Sequence, residues 1–163
     1  MNKKVIIGLG IGCAVLCIAS IIIILIAGGG RLREFFLREP ENVSISVDTP
    51  VQVTKDESVI IEVQVENTAT KPQLLHSIDI SSEYLAGIAI KEAEPPFVES
   101  FPNPPVEIQT YRFMQEISPG TTLVVQFFGV AVKTGDFSGN IDVCINSGHI
   151  CTTTFTIRTV VEE

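Results

Sequence analysis

The pattern of hydrophobic residues changes abruptly near residue 42. Residues 5–27 are almost continuously apolar, and 14 of them are Ile, Leu or Val. From Asn42 onward, apolar residues alternate with polar ones at a period of two. The apolar run predicts a membrane-spanning helix, because a helix rises about 1.5 Å per residue and the hydrocarbon core is about 30 Å thick. The alternation predicts β-strands that bury one face.

The clearest predicted strand covers residues 59–66, where Val and Ile occupy one face and Glu and Gln the other. In a later segment, His76 shares its parity with Ile78 and Ile80, which predicts a buried or edge histidine. Residues 121–133 are apolar at both parities and predict a central strand covered on both faces, with Phe127 and Phe128 pointing in opposite directions. Further strands with turn residues between them, and no helix after residue 41, predict an all-β antiparallel sandwich of about seven to nine strands.

The apolar run has a second interpretation, a cleavable signal peptide processed near Ala27 or Gly29. Signal peptide cores usually hold only about 7 to 15 apolar residues, so we expect an uncleaved anchor. Gly8 and Gly12 form a GxxxG motif, which would let two such helices approach closely and the protein form a homo-oligomer. The alternative is that glycine is simply common in membrane helices.

Residues 28–41 predict a neck between the helix and the sandwich, after a short tail at residues 1–4. One interpretation of the neck is an interfacial segment, with aromatic rings at the level of the lipid head groups and guanidinium groups near the phosphates. The alternative is a linker whose apolar residues pack under the domain. The residues concerned are Arg31, Arg33, Phe35, Phe36 and Arg38.

Charge is unevenly distributed along the chain, whose formal net charge is −8. Residues 1–40 hold five Lys or Arg against two Glu, whereas residues 41–163 hold six against seventeen Asp or Glu. An acidic domain without an arginine cluster would be repelled by nucleic acid, so nucleic-acid binding is excluded. Basic residues flank both ends of the apolar run almost equally, so the positive-inside rule does not decide the orientation. The all-β, Thr-rich domain with two closely spaced cysteines suits an exterior location. We expect a single-pass cell-membrane protein with the amino terminus inside and residues 42–163 outside.

Two stretches resemble bacterial cell-surface immunoglobulin-like modules. Residues 49–70, TPVQVTKDESVIIEVQVENTAT, are similar to the opening strands of such modules, where a turn leads into a long strand that ends at Val-Glu-Asn. Residues 118–145, SPGTTLVVQFFGVAVKTGDFSGNIDVCI, are similar to their later strands. The resemblance implies an immunoglobulin-like sandwich that serves as a spacer, an adhesion unit or a binding platform.

Cys144 and Cys151 flank a short turn and have three interpretations. A two-residue turn at Ser147-Gly148 would place them opposite each other and allow a disulfide. Ile141 and Val143 share one apolar face, and Phe155 joins that face only if the pairing of the two strands is shifted by one residue. This register would put the two thiols on opposite faces, unless a bulge intervenes. The other two interpretations are free buried thiols and a metal site with His149, which would lack a fourth ligand.

Residues 94–105 contain five of the nine prolines and two phenylalanines, Phe97 and Phe101. As a structural element, this segment would carry the chain between the two sheets and close the edge of the core. As a functional element, it would be a stiff loop that binds a partner through its aromatic rings. Exposure of both rings as one patch would favour binding, and their burial would favour the structural role.

Apart from the alternatives given for Cys144 and Cys151, no group of residues indicates catalysis, a metal ion or a cofactor. The carboxylate pairs Glu92/Glu94 and Asp56/Glu57 are typical of solvated turns and lack the dense oxygen spacing of a calcium loop. We therefore expect a membrane-anchored immunoglobulin-like module that acts in protein–protein interaction, in adhesion or as an accessory subunit, and not an enzyme. The alternatives are a structural envelope spacer without a specific ligand and a secreted enzyme.

Overall fold

The computed structural model describes residues 42–147, 151 and 153–163. The predicted tail, membrane helix and neck, at residues 1–4, 5–27 and 28–41, lie outside the described residues. So do the candidate residues Gly8, Gly12, Arg31, Arg33, Phe35, Phe36 and Arg38. In the described part of the chain, no helix is long and apolar enough to cross a membrane.

The described residues form ten strands, one short α-helix and one 3-10 turn at Pro104–Val106. The elements follow in the order β1 (Val43–Asp48), β2 (Gln52–Thr54), β3 (Ser58–Asn67), β4 (Gln73–Ser81), α1 (Ser82–Leu85), β5 (Ile88–Glu94), β6 (Glu99–Asn103), β7 (Ile108–Ile117), β8 (Thr122–Ala131), β9 (Gly135–Ile145) and β10 (Thr153–Glu162).

The strands form two sheets, which confirms the predicted two-layer β-sandwich. One sheet has four strands in the order β1-β3-β8-β5, and the other has six in the order β2-β10-β9-β4-β7-β6. Among the described strands, every pair is antiparallel except β2 and β10, which run parallel. The prediction of a purely antiparallel sandwich of about seven to nine strands was therefore wrong in these two details.

The core lies between the sheets and is built from alternate residues of facing strands. The four apolar residues predicted to share one face of β3 are all buried. They face buried residues of the other sheet, among them Ile78, Ile80, Ile141 and Val143. Within the core, the Phe127 ring packs edge-on against Tyr111 and Phe113, with ring centroids 5.1 and 5.8 Å apart. Such edge-on aromatic pairs add to the stabilisation that burial alone gives.

The short helix α1 contradicts the prediction that no helix follows the neck. Ser81 caps it, because its side-chain oxygen accepts a hydrogen bond from the Tyr84 amide at 3.4 Å. Tyr84 is fully buried, and its hydroxyl lies 2.9 Å from Thr159 Oγ1, which donates to the Pro50 carbonyl at 2.7 Å. A Cβ at Gly139 would overlap Ser81 Oγ, so α1 packs on β9 only where the strand lacks a side chain. The single turn of α1 therefore covers one end of the core.

A β-bulge in β4 explains a second error. The pairing of β4 with both neighbouring strands shifts between Leu75 and Ser77. The extra residue reverses the parity, so that Leu75 is fully buried while Leu74 and His76 are only half-buried. Beyond the bulge, Ile78 and Ile80 face the core as predicted.

Candidate functional site

Strand β8 is central in its sheet, as predicted, but it is not covered on both faces. Phe127 points into the core and is fully buried, whereas Phe128 points outward and is half-buried. On the same outer face, the side chain of Val124 is 40% exposed. The expected third layer over β8 is therefore absent from the described residues, and an apolar surface takes its place.

Four apolar side chains lie side by side on this outer face and are called the β8 strip: Ile60, Ala89, Phe128 and Val130. The register places Ile60 of β3 opposite Phe128, and Ala89 of β5 opposite Val130. Partners in adjacent strands have Cβ atoms about 5 Å apart, so the four side chains form one continuous surface. Ile60 is the most open member, at 50% exposure.

Acidic residues border the β8 strip. Glu92 lies opposite Phe128, and both Glu94 and Glu62 lie opposite Gln126. The Glu62 carboxylate accepts hydrogen bonds from Gln64 Nε2 at 2.7 Å and from Gln126 Nε2 at 2.8 Å, and these bonds lower the pKa of Glu62. Glu62 is therefore ionised at neutral pH. The outer face of this sheet thus combines an apolar centre with negative charge.

A different group of side chains is buried on the outer face of the six-stranded sheet. Asp79 is 7% exposed and Cys144 is fully buried, although both point away from the core between the sheets. Asp79 Oδ2 lies 3.8 Å from Cys144 Sγ and 3.5 Å from Cys151 Sγ, and the two sulfur atoms are joined in a disulfide. Asp79 Oδ1 accepts no hydrogen bond from any described residue.

The surroundings of Asp79 favour its protonated form. Burial is the main cause that raises the pKa of Asp79, and the negative charge of Asp142 on β9 adds to it. The side chain of Thr110 and the charge of His76 act in the opposite direction and lower this pKa. A carboxyl group that is removed from water and adjoins another carboxylate holds its proton more tightly.

The disulfide forms although β9 and β10 pair in the register that we expected to separate the two thiols. Phe155 pairs with Ile141 and Thr153 with Val143, which is the register that the alternation favours. In a regular ladder this register would place the two cysteines on opposite faces. Strand β10 begins only at Thr153, however, so Cys151 lies outside the ladder and strand parity does not constrain it. Gly148 and His149 lie outside the described residues, and with them the predicted bulge and the histidine of the metal interpretation.

The same group is the best candidate for a metal site in the described part of the chain. One ligand atom each from Asp79, Cys144 and Cys151 lies within 4.8 Å of the others. Thiolates bind metal ions and disulfide sulfurs do so poorly, so this set could hold an ion only after reduction. Sequence reasoning missed Asp79 because it precedes Cys144 by 65 residues and looks like any polar residue on the outer face of a strand.

The two phenylalanines of the proline-rich segment lie in different environments. The segment carries the chain from β5 in one sheet to β6 in the other. Phe97 is half-buried, and its ring centroid lies 5.3 Å from that of Tyr111 and 6.5 Å from that of Phe113. Phe101 lies on the edge strand β6 and is 41% exposed. The two rings therefore do not form one exposed patch.

The remaining candidates occupy ordinary positions. His76 Nδ1 lies 3.5 Å from Ser77 Oγ in the β4 bulge. Asp56 has a positive φ of 67° in the turn after β2, where Glu57 Oε2 accepts a hydrogen bond from the Thr54 amide at 2.7 Å. Glu92 and Glu94 share the outer face beside the β8 strip. None of these carboxylates approaches a histidine or serine closely enough for an acid-base pair among the hydrogen bonds of the described residues.

No protein family model matches the chain, and no curated protein matches its sequence. Several solved structures are similar in fold. The cupredoxin domain of amoB from Nitrosocaldus yellowstonii has a TM-score of 0.49 and 8% identity, over 77% of this chain and 90% of that one. A cohesin module of a Clostridium perfringens family 33 glycoside hydrolase has a TM-score of 0.48 and 11% identity, over 75% and 98%. The CARDB domain of PF1109 from Pyrococcus furiosus has a TM-score of 0.41 and 13% identity, over 74% and 90%.

Proposed function

We propose that this protein is a membrane-anchored, extracytoplasmic immunoglobulin-like module that binds another protein, as an adhesion unit or an accessory subunit. The observation that carries the proposal is the β8 strip, an apolar surface on a folded domain with no described element over it. The anchor rests on residues 5–27, whose length and composition fit a membrane span.

The composition of the β8 strip and its border favours a protein partner. Protein interfaces combine a buried apolar centre with a polar rim, and contiguous apolar surface on a soluble domain marks interaction sites. The rim here is acidic at Glu62, Glu92 and Glu94. Lys91 precedes Glu92, at the point where the pairing of β5 with β8 shifts register. We therefore expect a partner surface with an apolar centre and a border of Lys and Arg. Anionic lipid would be repelled by the same carboxylates.

A structural spacer without a ligand is the second candidate. The half-buried ring of Phe97 supports it, since that ring closes the edge of the core instead of presenting an aromatic anchor. A spacer gives no reason for Phe128 and Ile60 to share an outward face. The β8 strip therefore favours binding over the spacer.

Photo-crosslinking in intact cells would test the proposed binding surface. A photoreactive residue at Ile60 samples the β8 strip, and one at the exposed Thr156 samples the outer face of the other sheet as a matched control. We expect a discrete crosslinked product from position 60 that is absent from position 156 and is lost in Phe128→Glu. Equal crosslinking at both positions, or none at either, would contradict the proposal. A product of twice the chain mass would identify a second copy as the partner.

The proposed orientation and helix pairing need separate tests. A membrane-impermeant protease should digest residues 42–163 in intact cells, and complete protection of the domain would refute its external location. The Gly8→Leu, Gly12→Leu double variant should lose any dimer that forms through the anchor, since leucine at these positions keeps two helix backbones apart. A dimer unaffected by these substitutions would exclude that helix face.

A further inference from the structure

The group formed by Asp79, Cys144 and Cys151 plays no part in the proposed binding surface, because it lies on the outer face of the other sheet. A buried carboxyl oxygen lies within 3.8 Å of both sulfurs of one disulfide. We propose that Cys144 and Cys151 are a reversible dithiol/disulfide pair that exchanges with an external thiol, and that Asp79 is its proton donor and acceptor.

The difference in exposure between the two cysteines determines which sulfur is attacked and which one leaves. Cys151 is half-buried and therefore partly open to solvent, whereas Cys144 is fully buried. On this difference in exposure, an external thiolate attacks Cys151 Sγ, and the Cys144 sulfur is then the leaving group. Bulk water does not reach the leaving sulfur readily, whereas Asp79 Oδ2 lies 3.8 Å from it. The carboxyl group is thus placed to supply the proton that a departing thiolate needs.

The reaction balances with a thiol as the reductant. In the first step the thiolate RS⁻ attacks Cys151 Sγ, forms the R–S–Sγ bond and breaks the bond between Cys151 and Cys144. The Cys144 sulfur takes the electron pair of the broken bond and the proton of Asp79, which becomes a carboxylate. In the second step another RS⁻ attacks the R sulfur, RSSR forms, and the released Cys151 thiolate takes a proton from solvent. Two electrons pass from the two RS⁻ to the protein.

The groups around Asp79 are consistent with a protonated Asp79 while Cys144 and Cys151 form a disulfide. Asp142 faces it from β9, and Thr110 faces it from β7, with Arg112 two residues further along β7. His76, on the same strand as Asp79, acts on it through its charge. Arg112 Nη2 pairs with Glu99 Oε1 at 2.8 Å, whereas Arg112 Nε has no hydrogen-bond partner among the described residues. A disulfide offers Asp79 no S–H donor, whereas a dithiol offers two. Reduction therefore stabilises the carboxylate, and oxidation stabilises the acid.

The test measures reduction of the full-length native protein by dithiothreitol across a range of pH. Thiols are trapped by alkylation and counted on peptides that contain Cys144 or Cys151, so that Cys13 and Cys17 do not contribute. The rate is divided by the concentration of dithiothreitol thiolate, which removes the titration of the reductant. We expect this normalised rate to fall as pH rises and Asp79 loses its proton. In Asp79→Asn it should be independent of pH and about tenfold lower, or more, at acidic pH.

Asp142→Asn is the matched control, since it removes a neighbouring carboxylate but keeps Asp79. It should retain the pH dependence, with its midpoint moved to lower pH because a like charge has gone. The proposal is overturned if the normalised rate of the wild-type protein does not depend on pH, if Asp79→Asn reacts like wild type, or if the disulfide resists reduction until the protein is denatured. The wild-type profile alone decides the matter if the Asp79 variant fails to fold.

Discussion

Replacing Asn67 with alanine would test how one end of the sandwich is held together. Asn67 is the last residue of β3 and is fully buried. Its Nδ2 donates to the Ile117 carbonyl at 2.8 Å and to the Lys71 carbonyl at 2.9 Å, and its Oδ1 accepts from the Ala69 amide at 2.9 Å. One side chain thereby links a strand of the four-stranded sheet to the entry of β4 and the end of β7 in the other sheet.

The expected cost follows from where these three partners lie. The Ile117 carbonyl belongs to a residue that is 2% exposed, so it would lose the Asn67 donor in a buried position, at a cost of about 1 to 3 kcal/mol. Lys71 is exposed and Ala69 half-buried, so water partly replaces the amide there, at a cost of about 0.5 to 1 kcal/mol for each bond. We therefore expect Asn67→Ala to lower the free energy of unfolding by about 2 to 5 kcal/mol.

Urea unfolding of the full-length protein in detergent, followed by tyrosine signals, would measure this loss. The chain has two tyrosines, both in the sandwich, and no tryptophan, so the signal reports on this domain. Asn140→Ala is the control, because the exposed Asn140 Oδ1 accepts one hydrogen bond, from Thr156 Oγ1 at 3.3 Å. It should change stability by less than about 0.5 kcal/mol. An equally small change in Asn67→Ala would refute the assignment of Asn67 as a link between the sheets.

Three further predictions concern the core. Burial raises the pKa of Tyr111 to about 12 and also raises that of Tyr84, so the native state keeps protons that the unfolded state loses above a pH of about 10. Stability should therefore fall as pH rises through this interval, and the phenolate absorbance should appear together with unfolding, not before it. Gly139→Ala should cost about 1 to 3 kcal/mol in urea unfolding, because the new methyl group overlaps the residue that caps α1. Phe127→Ala should cost about 3 to 5 kcal/mol, whereas Phe128→Ala should cost far less because its ring faces outward; equal losses would contradict the assigned faces.

Where a strand is regular, alternation predicts its buried face correctly. The buried residues of β3 follow directly from the period of two, and the opposite orientations of Phe127 and Phe128 follow from their adjacency. The prediction fails in β4, where one extra residue after Leu75 reverses the parity. A bulge depends on what the neighbouring strands require, and so no local pattern reveals it. Local sequence does not predict α1 for the same reason, because its single turn depends on the space that Gly139 leaves on β9.

The candidate sites were predictable only in part. Cys144 and Cys151 attract attention because of their spacing, whereas Asp79 joins them only through the pairing of β4 with β9. The apolar residues of β8 were visible in the sequence, but their outward face was interpreted as a second buried layer. Whether an apolar face is covered depends on the number of layers in the fold, which periodicity alone does not determine. The residue pattern therefore predicted strand β8, whereas only the structure shows that no described element covers its outer face.

The central claim is that the β8 strip faces outside the cell and is covered there by a partner. Labelling of Ile60→Cys and Thr156→Cys with a membrane-impermeant maleimide, in intact cells and in purified protein, tests it most directly. We predict that Thr156→Cys reacts in both settings, whereas Ile60→Cys reacts in the purified protein and is protected in cells. Equal reaction of both positions in cells would contradict a covered strip, and failure of both to react in cells would contradict an external domain.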